Sequence, residues 1–425
     1  MKYEKLTLKN GLRVLLIPMP SLESAVLTLW VKTGSRFEDE KISGVSHFLE
    51  HMVFKGTKRR PSAKIVSAEI DSIGAETNAA TSKEWTNFYI RSRVDVLERS
   101  FDILSDIVLK PLLKASEIEK EKGVILEEIA MYEDTPMIKI YDLFDNVVFK
   151  GSNLARDVSG TKETVKSLKR EDFISYRGNY YYPENMVLTL AGGFEKKKAL
   201  SLIEKYFGFL EPTGKKPLSA SEKISQAKPE AVVKNKKTDQ AHLIIGFKGK
   251  PYGWEGRFSE AVLSTILGGG MSSRMFIEVR EKRGLAYSVR TTVDHALDNG
   301  SFYTYAGVPP EKIKEASKVI LDEYYGLRDK TKKVTKKELE KAKEYLKGHL
   351  ALSLESTKAA SEFFALEELY LERPQLPEDV FRGIDKVSLD DVYQVASKLF
   401  LDERLNIAVI GPYNSKDLKL IDLTL

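Results

Sequence analysis

Two of the chain's five histidines stand in one short window, His47-Phe48-Leu49-Glu50-His51. On a helix, positions i and i+4 lie about 40° apart and one turn up, so both imidazoles share a face. Glu50 falls about 60° to the other side of His47, and all three groups fit an arc of roughly 100°. Two neutral imidazoles at this spacing suit a zinc ion, and a carboxylate beside them can take a proton from attacking water. The competing reading is a buried polar helix face, which costs energy when three polar groups lack partners. A catalytic zinc takes a third protein ligand and keeps one position open. The chain has no cysteine, so that ligand is His, Asp or Glu. The stretch after Ser116 offers Glu117, Glu119, Glu121, Glu127 and Glu128. Glu121 and Glu128 share one helix face, roughly 10 Å apart along the axis, while Glu127 lies about 100° off it. A cation would draw one of the pair and leave the other to orient the site. Spacing alone does not choose between them, and a solvated acidic face is the ordinary reading of a Glu-rich helix.

These residues need elements to hold them. Helical periodicity covers 43–55 and 62–73, and Val94–Leu109 repeats its apolar residues at helical spacing. A capping-box pattern at Ser116–Glu119 starts a helix that runs to about Met131. Strand alternation appears at Leu6–Leu8, Leu12–Ile17 and Ala25–Val31, with a turn at Asn10-Gly11, and again at 75–81 and 84–92. Strands followed by helices in one unit indicate an α+β layer domain. Residues 168–192 align without a gap onto 387–411, each an acid-capped helix, a turn and an apolar strand ending in Gly192 or Gly411. The same offset sets His47–His51 onto Ile266–Gly270, so one half carries polar chemistry and the other a glycine-rich stretch. No Gly-Lys-Ser/Thr follows Gly268–Gly270, which argues against a phosphate cradle. Residues 211–239 are rich in Pro, Lys and Ser. The expected domains are therefore 1–210, a linker at 211–230, and 231–425 opening on a short strand at Ala231–Val233.

Composition narrows the partners. The net charge of +5 is small and mixed for 425 residues, against nucleic acid or an anionic membrane as partner. The longest apolar runs are too short to span a bilayer as a helix. The Lys-rich stretch 331–348 reads as a solvated helix face. The absence of cysteine fits a reducing interior, and the expectation is a soluble, cytoplasmic protein.

The segments SGVSHFLEHMVFKGT (43–57), IGAETNAATSKEWTNFY (73–89), EKGVILEE (121–128), SGTKETVKSL (159–168) and VREKRGLAYSV (279–289) occur in this order along the chain. Together they resemble the pitrilysin-type peptidases with the inverted zinc motif H-x-x-E-H, specifically the half-length branch of mitochondrial processing peptidase subunits and their bacterial relatives. The resemblance implies two homologous α/β-sandwich domains, each a mostly antiparallel sheet with helices packed on it, forming half of a clamshell. It implies a zinc metalloendopeptidase with one Zn²⁺ per chain, held by His47, His51 and Glu128. Glu50 would be the general base and Glu121 a supporting carboxylate. Asn78, Ala79, Ala80 and Thr81 match a strand that pairs an extended substrate. Arg280 and Tyr287 match a pair from the second half that binds the substrate backbone and steadies the oxyanion. The expected substrates are small or unfolded peptides, and the expected assembly is a homodimer. The alternatives within the family are a non-catalytic core-type subunit and the catalytic half of an obligate heterodimer.

Overall fold

The computed structural model describes residues 1–414. Two compact units account for the chain. One comprises Met1–Ala130, Arg156–Ser219 and Ser353–Leu376, and the other Met131–Ala155, Ala220–Leu352 and Pro377 onward.

The first unit is built on six strands: β1 (Glu4–Thr7), β2 (Arg13–Pro18), β3 (Ser24–Val31), β4 (Glu76–Thr81), β5 (Thr86–Arg93) and β6 (Met186–Gly192). Their order is β1-β2-β6-β3-β5-β4. All neighbours are antiparallel except β2 and β6. The β1–β2 connection turns where the sequence places it, with Gly11 at φ 88°, a left-handed conformation that suits glycine. Four helices follow from the amphipathic stretches: α1 (Val45–Val53), α2 (Ala63–Ser72), α3 (Leu97–Leu109) and α4 (Ala115–Asp134). Phe101 and Leu104 of α3, with Ile203 and Phe207 of the helix Lys196–Phe207, pack on Leu16, Leu27, Leu29, Phe88 and Leu190. The opposite face of β2, β3 and β6 is covered by the helix Thr357–Leu371. Strands buried on both faces carry continuous apolar runs rather than alternation, as LTLWV and MVLTLAG do. Between the strands and that helix, Trp30 Nε1 donates to Thr189 Oγ1 at 3.2 Å, and the Thr189 and Ser361 hydroxyls lie 2.6 Å apart, so these buried polar groups have partners.

The second unit holds β7 (Glu230–Asn235), β8 (Ala241–Lys248), β9 (Ser288–His295), β10 (Gly300–Val308) and β11 (Leu405–Gly411), in the order β7-β11-β8-β10-β9. Ile320 and Tyr324 of the helix Ile313–Arg328 and Leu399 of the helix Leu389–Leu399 pack with Ile245, Phe247, Phe302 and Ile407. The other face takes α5 (Pro136–Val148), whose Ile140, Phe144 and Val148 meet Ile244, Tyr303, Tyr305 and Ile410.

The repeat is visible in three dimensions. The helix Arg170–Tyr180 leads into β6, and Leu389–Leu399 leads into β11. Each of these strands belongs to the single parallel pair of its sheet, β6 with β2 and β11 with β7. The compact units differ from contiguous halves, however. Residues 131–155 group with the second unit and 353–376 with the first. Amphipathic periodicity tells that α5 and Thr357–Leu371 must bury a face, but not which sheet they cover. The change of unit at Ser219/Ala220 falls inside the segment expected as linker, which has neither helix nor strand until β7.

Candidate metal centre

The helix α1 is oriented by what it buries. Phe48, Leu49 and Met52 pack with Ile118, Ile125 and Ile129 of α4 and with Phe173, the rings of Phe48 and Phe173 meeting edge to face at 4.9 Å. With those residues inward, His47, Glu50 and His51 turn to a half-buried side. The helix starts at Gly44, φ 93°, where a β-carbon would come within 2.6 Å of the Ser159 carbonyl oxygen. The buried Glu38 carboxylate accepts from Gly44 N at 2.7 Å, Ser46 N at 2.8 Å and Ser46 Oγ at 2.5 Å. A carboxylate at a helix N-terminus satisfies orphan N–H groups and complements the dipole. Burial drives the Glu38 carboxyl up to about 7, against those hydrogen bonds.

The same apolar stripe that docks α4 presents its two glutamates. Glu128 Oε2 lies 3.7 Å from His47 Nε2 and 3.6 Å from His51 Nε2. One donor atom from each of the three residues falls within 4.8 Å of the others. Zn–N and Zn–O bonds of about 2.0–2.1 Å in a tetrahedron set neighbouring donors roughly 3.4 Å apart. The three donors thus fit a zinc ion in chemistry and spacing, at contacts too long for hydrogen bonds. Glu127, on the same helix, is exposed. Glu121 is buried and stands behind His51, its Oε1 at 3.0 Å from His51 Nδ1 and its Oε2 at 2.5 Å from Lys55 Nζ. His47 Nδ1 is buried with no hydrogen-bond partner among the described residues.

Burial lowers the His47 imidazole to about 4, assisted by the neighbouring His51 and opposed by Glu128. Burial also works to lower His51, but the Glu121 hydrogen bond and the surrounding carboxylates outweigh it and raise that ring. Burial raises Glu50, opposed by a hydrogen bond from Thr81 Oγ1 to its Oε2 at 2.5 Å. Glu121 is held below the ordinary carboxylate range, because hydrogen bonds from His51 and Lys55 overcome its burial.

The remaining expected residues fall in two places. Asn78, Ala79, Ala80 and Thr81 lie on β4, an edge of the first sheet that pairs only with β5. Asn78 and Ala80 are exposed, and Asn78 Oδ1 accepts from the next backbone N–H. Arg280 and Tyr287 belong to the second unit. Arg280 lies in the last turn of a π-helix, Phe276–Glu281, and its guanidinium lies 4.7 Å from the Phe276 ring centre and 4.9 Å from that of Tyr287. Tyr287 is 75% exposed, so its hydroxyl is open to a ligand. Two contacts were not foreseen in the sequence: Thr81 on Glu50, and Lys55 on Glu121. Lys55 follows His51 by four residues, a spacing that signals a shared helix face. Where the repeat sets Ile266–Gly270 against the histidine window, the second unit has closed up. A β-carbon on Gly268 would come within 2.3 Å of the Thr291 backbone nitrogen on β9.

Residues 13–162 match the family described as Insulinase (Peptidase family M16), and 167–346 match the Peptidase M16 inactive domain. The uncharacterized zinc protease YmxG of Bacillus subtilis is 36% identical over 96% of this chain and 98% of its own length. An uncharacterized zinc protease of Streptomyces coelicolor is 36% identical over 96% of this chain and 90% of its own length. The crystal structure of a protease from Helicobacter pylori superposes with a TM-score of 0.91 at 25% identity, covering 97% of this chain and 99% of that one. With two domain matches, near-full-length relatives and the shared fold, this chain belongs to peptidase family M16, in its half-length bacterial form.

Proposed function

We propose that the protein is a zinc-dependent endopeptidase that hydrolyses small or unfolded peptides. The observation that carries this reading is the convergence of His47, His51 and Glu128 with Glu50 on the same helix turn. These three side chains would hold the ion. Zinc, when bound, supplies Lewis-acid polarisation of a carbonyl and acidifies water beside it. Glu50 takes the proton from the attacking water and later delivers it to the leaving amine nitrogen. The Thr81 hydroxyl commits Oε2 of Glu50 and leaves Oε1 for the proton. Glu121 accepts from His51 Nδ1–H and so leaves Nε2 bare toward the ion. The open edge of β4 offers backbone donors and acceptors to an extended peptide at Asn78–Thr81. Arg280 and Tyr287 donate to the peptide backbone and to the developing oxyanion, a role supported by the exposed phenol and the stacked guanidinium.

The resemblance supports a homodimer with one zinc per chain, and the cysteine-free composition supports a cytoplasmic location; sizing the purified chain tests the assembly. A zinc-free structural subunit is disfavoured because a complete donor set is present. The deciding experiment is Glu50→Gln. The variant is expected to bind zinc as the wild type does and to lose peptide turnover by roughly a hundredfold or more. Cleavage at the wild-type rate would remove Glu50 as the base.

A further inference from the structure

Two glutamates share one face of α4, yet they do different work. Glu128 turns an oxygen to both imidazole Nε2 atoms, whereas both oxygens of Glu121 are engaged elsewhere. What separates them is Lys55. Its ammonium lies 2.5 Å from Glu121 Oε2, against a carboxylate whose side chain is only 7% exposed. Lys55 is also no loose surface lysine. Its backbone N–H donates to Met52 O at 3.1 Å, extending the last turn of α1 beyond Val53. The next residue, Gly56, has φ 118°, and a β-carbon there would meet Arg60 O at 2.7 Å. Gly56 O in turn accepts from Leu112 N at 2.9 Å. Helix end and turn together fix where the lysine stem departs.

We propose that Lys55 is a positioning residue for the metal centre, one that decides which glutamate ligates. This deepens the reading of His47, His51 and Glu128 as the zinc site and rests on it. By holding Oε2, Lys55 keeps the Glu121 carboxylate from rotating, so Oε1 stays on His51 Nδ1. The His51 ring is then fixed with Nε2 toward the ion. A carboxylate with one oxygen free could swing off the ring and compete for the cation. The ammonium also offsets one of three carboxylates, Glu50, Glu121 and Glu128, gathered about a single divalent ion. The lysine thus acts through Glu121 and His51.

The test titrates the full-length apo-protein with zinc against a chromogenic chelator. It uses Lys55→Met and Lys55→Arg, each alone and combined with Glu121→Gln, with the apo-protein melting temperature as a control on folding. Lys55→Met is expected to weaken zinc binding about tenfold, the usual size of such an outer contact. Lys55→Arg, which keeps the charge and a donor, is expected to retain the affinity. In the Glu121→Gln background, Lys55→Met should cause no further loss. Undiminished affinity in Lys55→Met would overturn the proposal, and so would an equal loss with and without Glu121. Should Lys55→Met also melt early, the arginine variant and the paired background still decide. A wild-type chain that takes up no zinc would sink the metal site and this inference together. A wild type that binds zinc no better than Lys55→Met sinks this inference alone.

Discussion

At the level of single residues, the tightest contact to the proposed base is the Thr81 hydroxyl on Glu50 Oε2, at 2.5 Å. Thr81→Val removes the donor with almost no change in volume. A hydrogen bond to a charged group is worth about 1.5–3 kcal/mol, so kcat is expected to fall roughly tenfold or more. Zinc content should stay as in the wild type. Unaltered kcat, measured on the same peptide, would show that Glu50 needs no such anchor. His47, Glu50 and His51 could be read from the sequence because one helix fixes their mutual geometry locally. Glu121 and Glu128 could not be told apart by spacing, since both lie on one face of α4. Their difference comes from the way α1 crosses that helix and from Lys55, both long-range facts. The resemblance sets Thr81 on a strand bordering the site, but its bond to Glu50 depends on α1 packing beside β4.

Single elements carry the next set of constraints. The start of α1 is pinned by the Glu38 carboxylate and by the close approach of Gly44 to Ser159. Gly44→Ala forces a β-carbon into a left-handed residue and against a carbonyl oxygen. It is expected to cost at least about 1–2 kcal/mol in denaturant unfolding and to weaken zinc binding as well. Wild-type stability in that variant would mean that the helix start is not pinned there. In the second unit, Glu260 in the first turn of the helix Arg257–Gly268 is fully buried, with no hydrogen-bond partner for either oxygen among the described residues. His295 Nε2 is 3.8 Å away, and Lys250 is the charge that acts on the carboxyl. Burial pushes its carboxyl up to about 8, against the pull of Lys250. The folded protein therefore keeps a proton there that the unfolded chain has released. That stabilisation is complete below the unfolded carboxyl pKa of about 4.5, declines as pH rises, and is gone above about 8. Glu260→Gln should remove this decline, which amounts to about 1.4 kcal/mol per pH unit at full effect. Melting curves from pH 5 to 8 that keep the same slope in the variant would contradict the assignment.

For the molecule as a whole, the duplicated design was apparent from pattern rather than identity. The repeat 168–192 on 387–411 predicts a helix and a strand in each half, and both are found. What pattern cannot give is the crossing of α5 and the helix Thr357–Leu371 into units other than those of their sequence halves. An amphipathic stripe records that a face is buried, not its partner. A fragment ending at Ser219 would lack Thr357–Leu371 and expose Trp30, Thr189 and the Arg13 that pairs with Glu368 at 3.0 Å. It is expected to bind a hydrophobic dye and to lack a cooperative melt. A fragment that melts cooperatively would show that the first sheet needs no cover from residues 353–376. No helix among the described residues is long and apolar enough to cross a membrane. The most direct test of the account is metal analysis of the purified wild type beside His51→Ala and Glu128→Ala, with circular dichroism to confirm folding. The expected result is one zinc per wild-type chain and almost none in either folded variant; a full complement of zinc in both would contradict it.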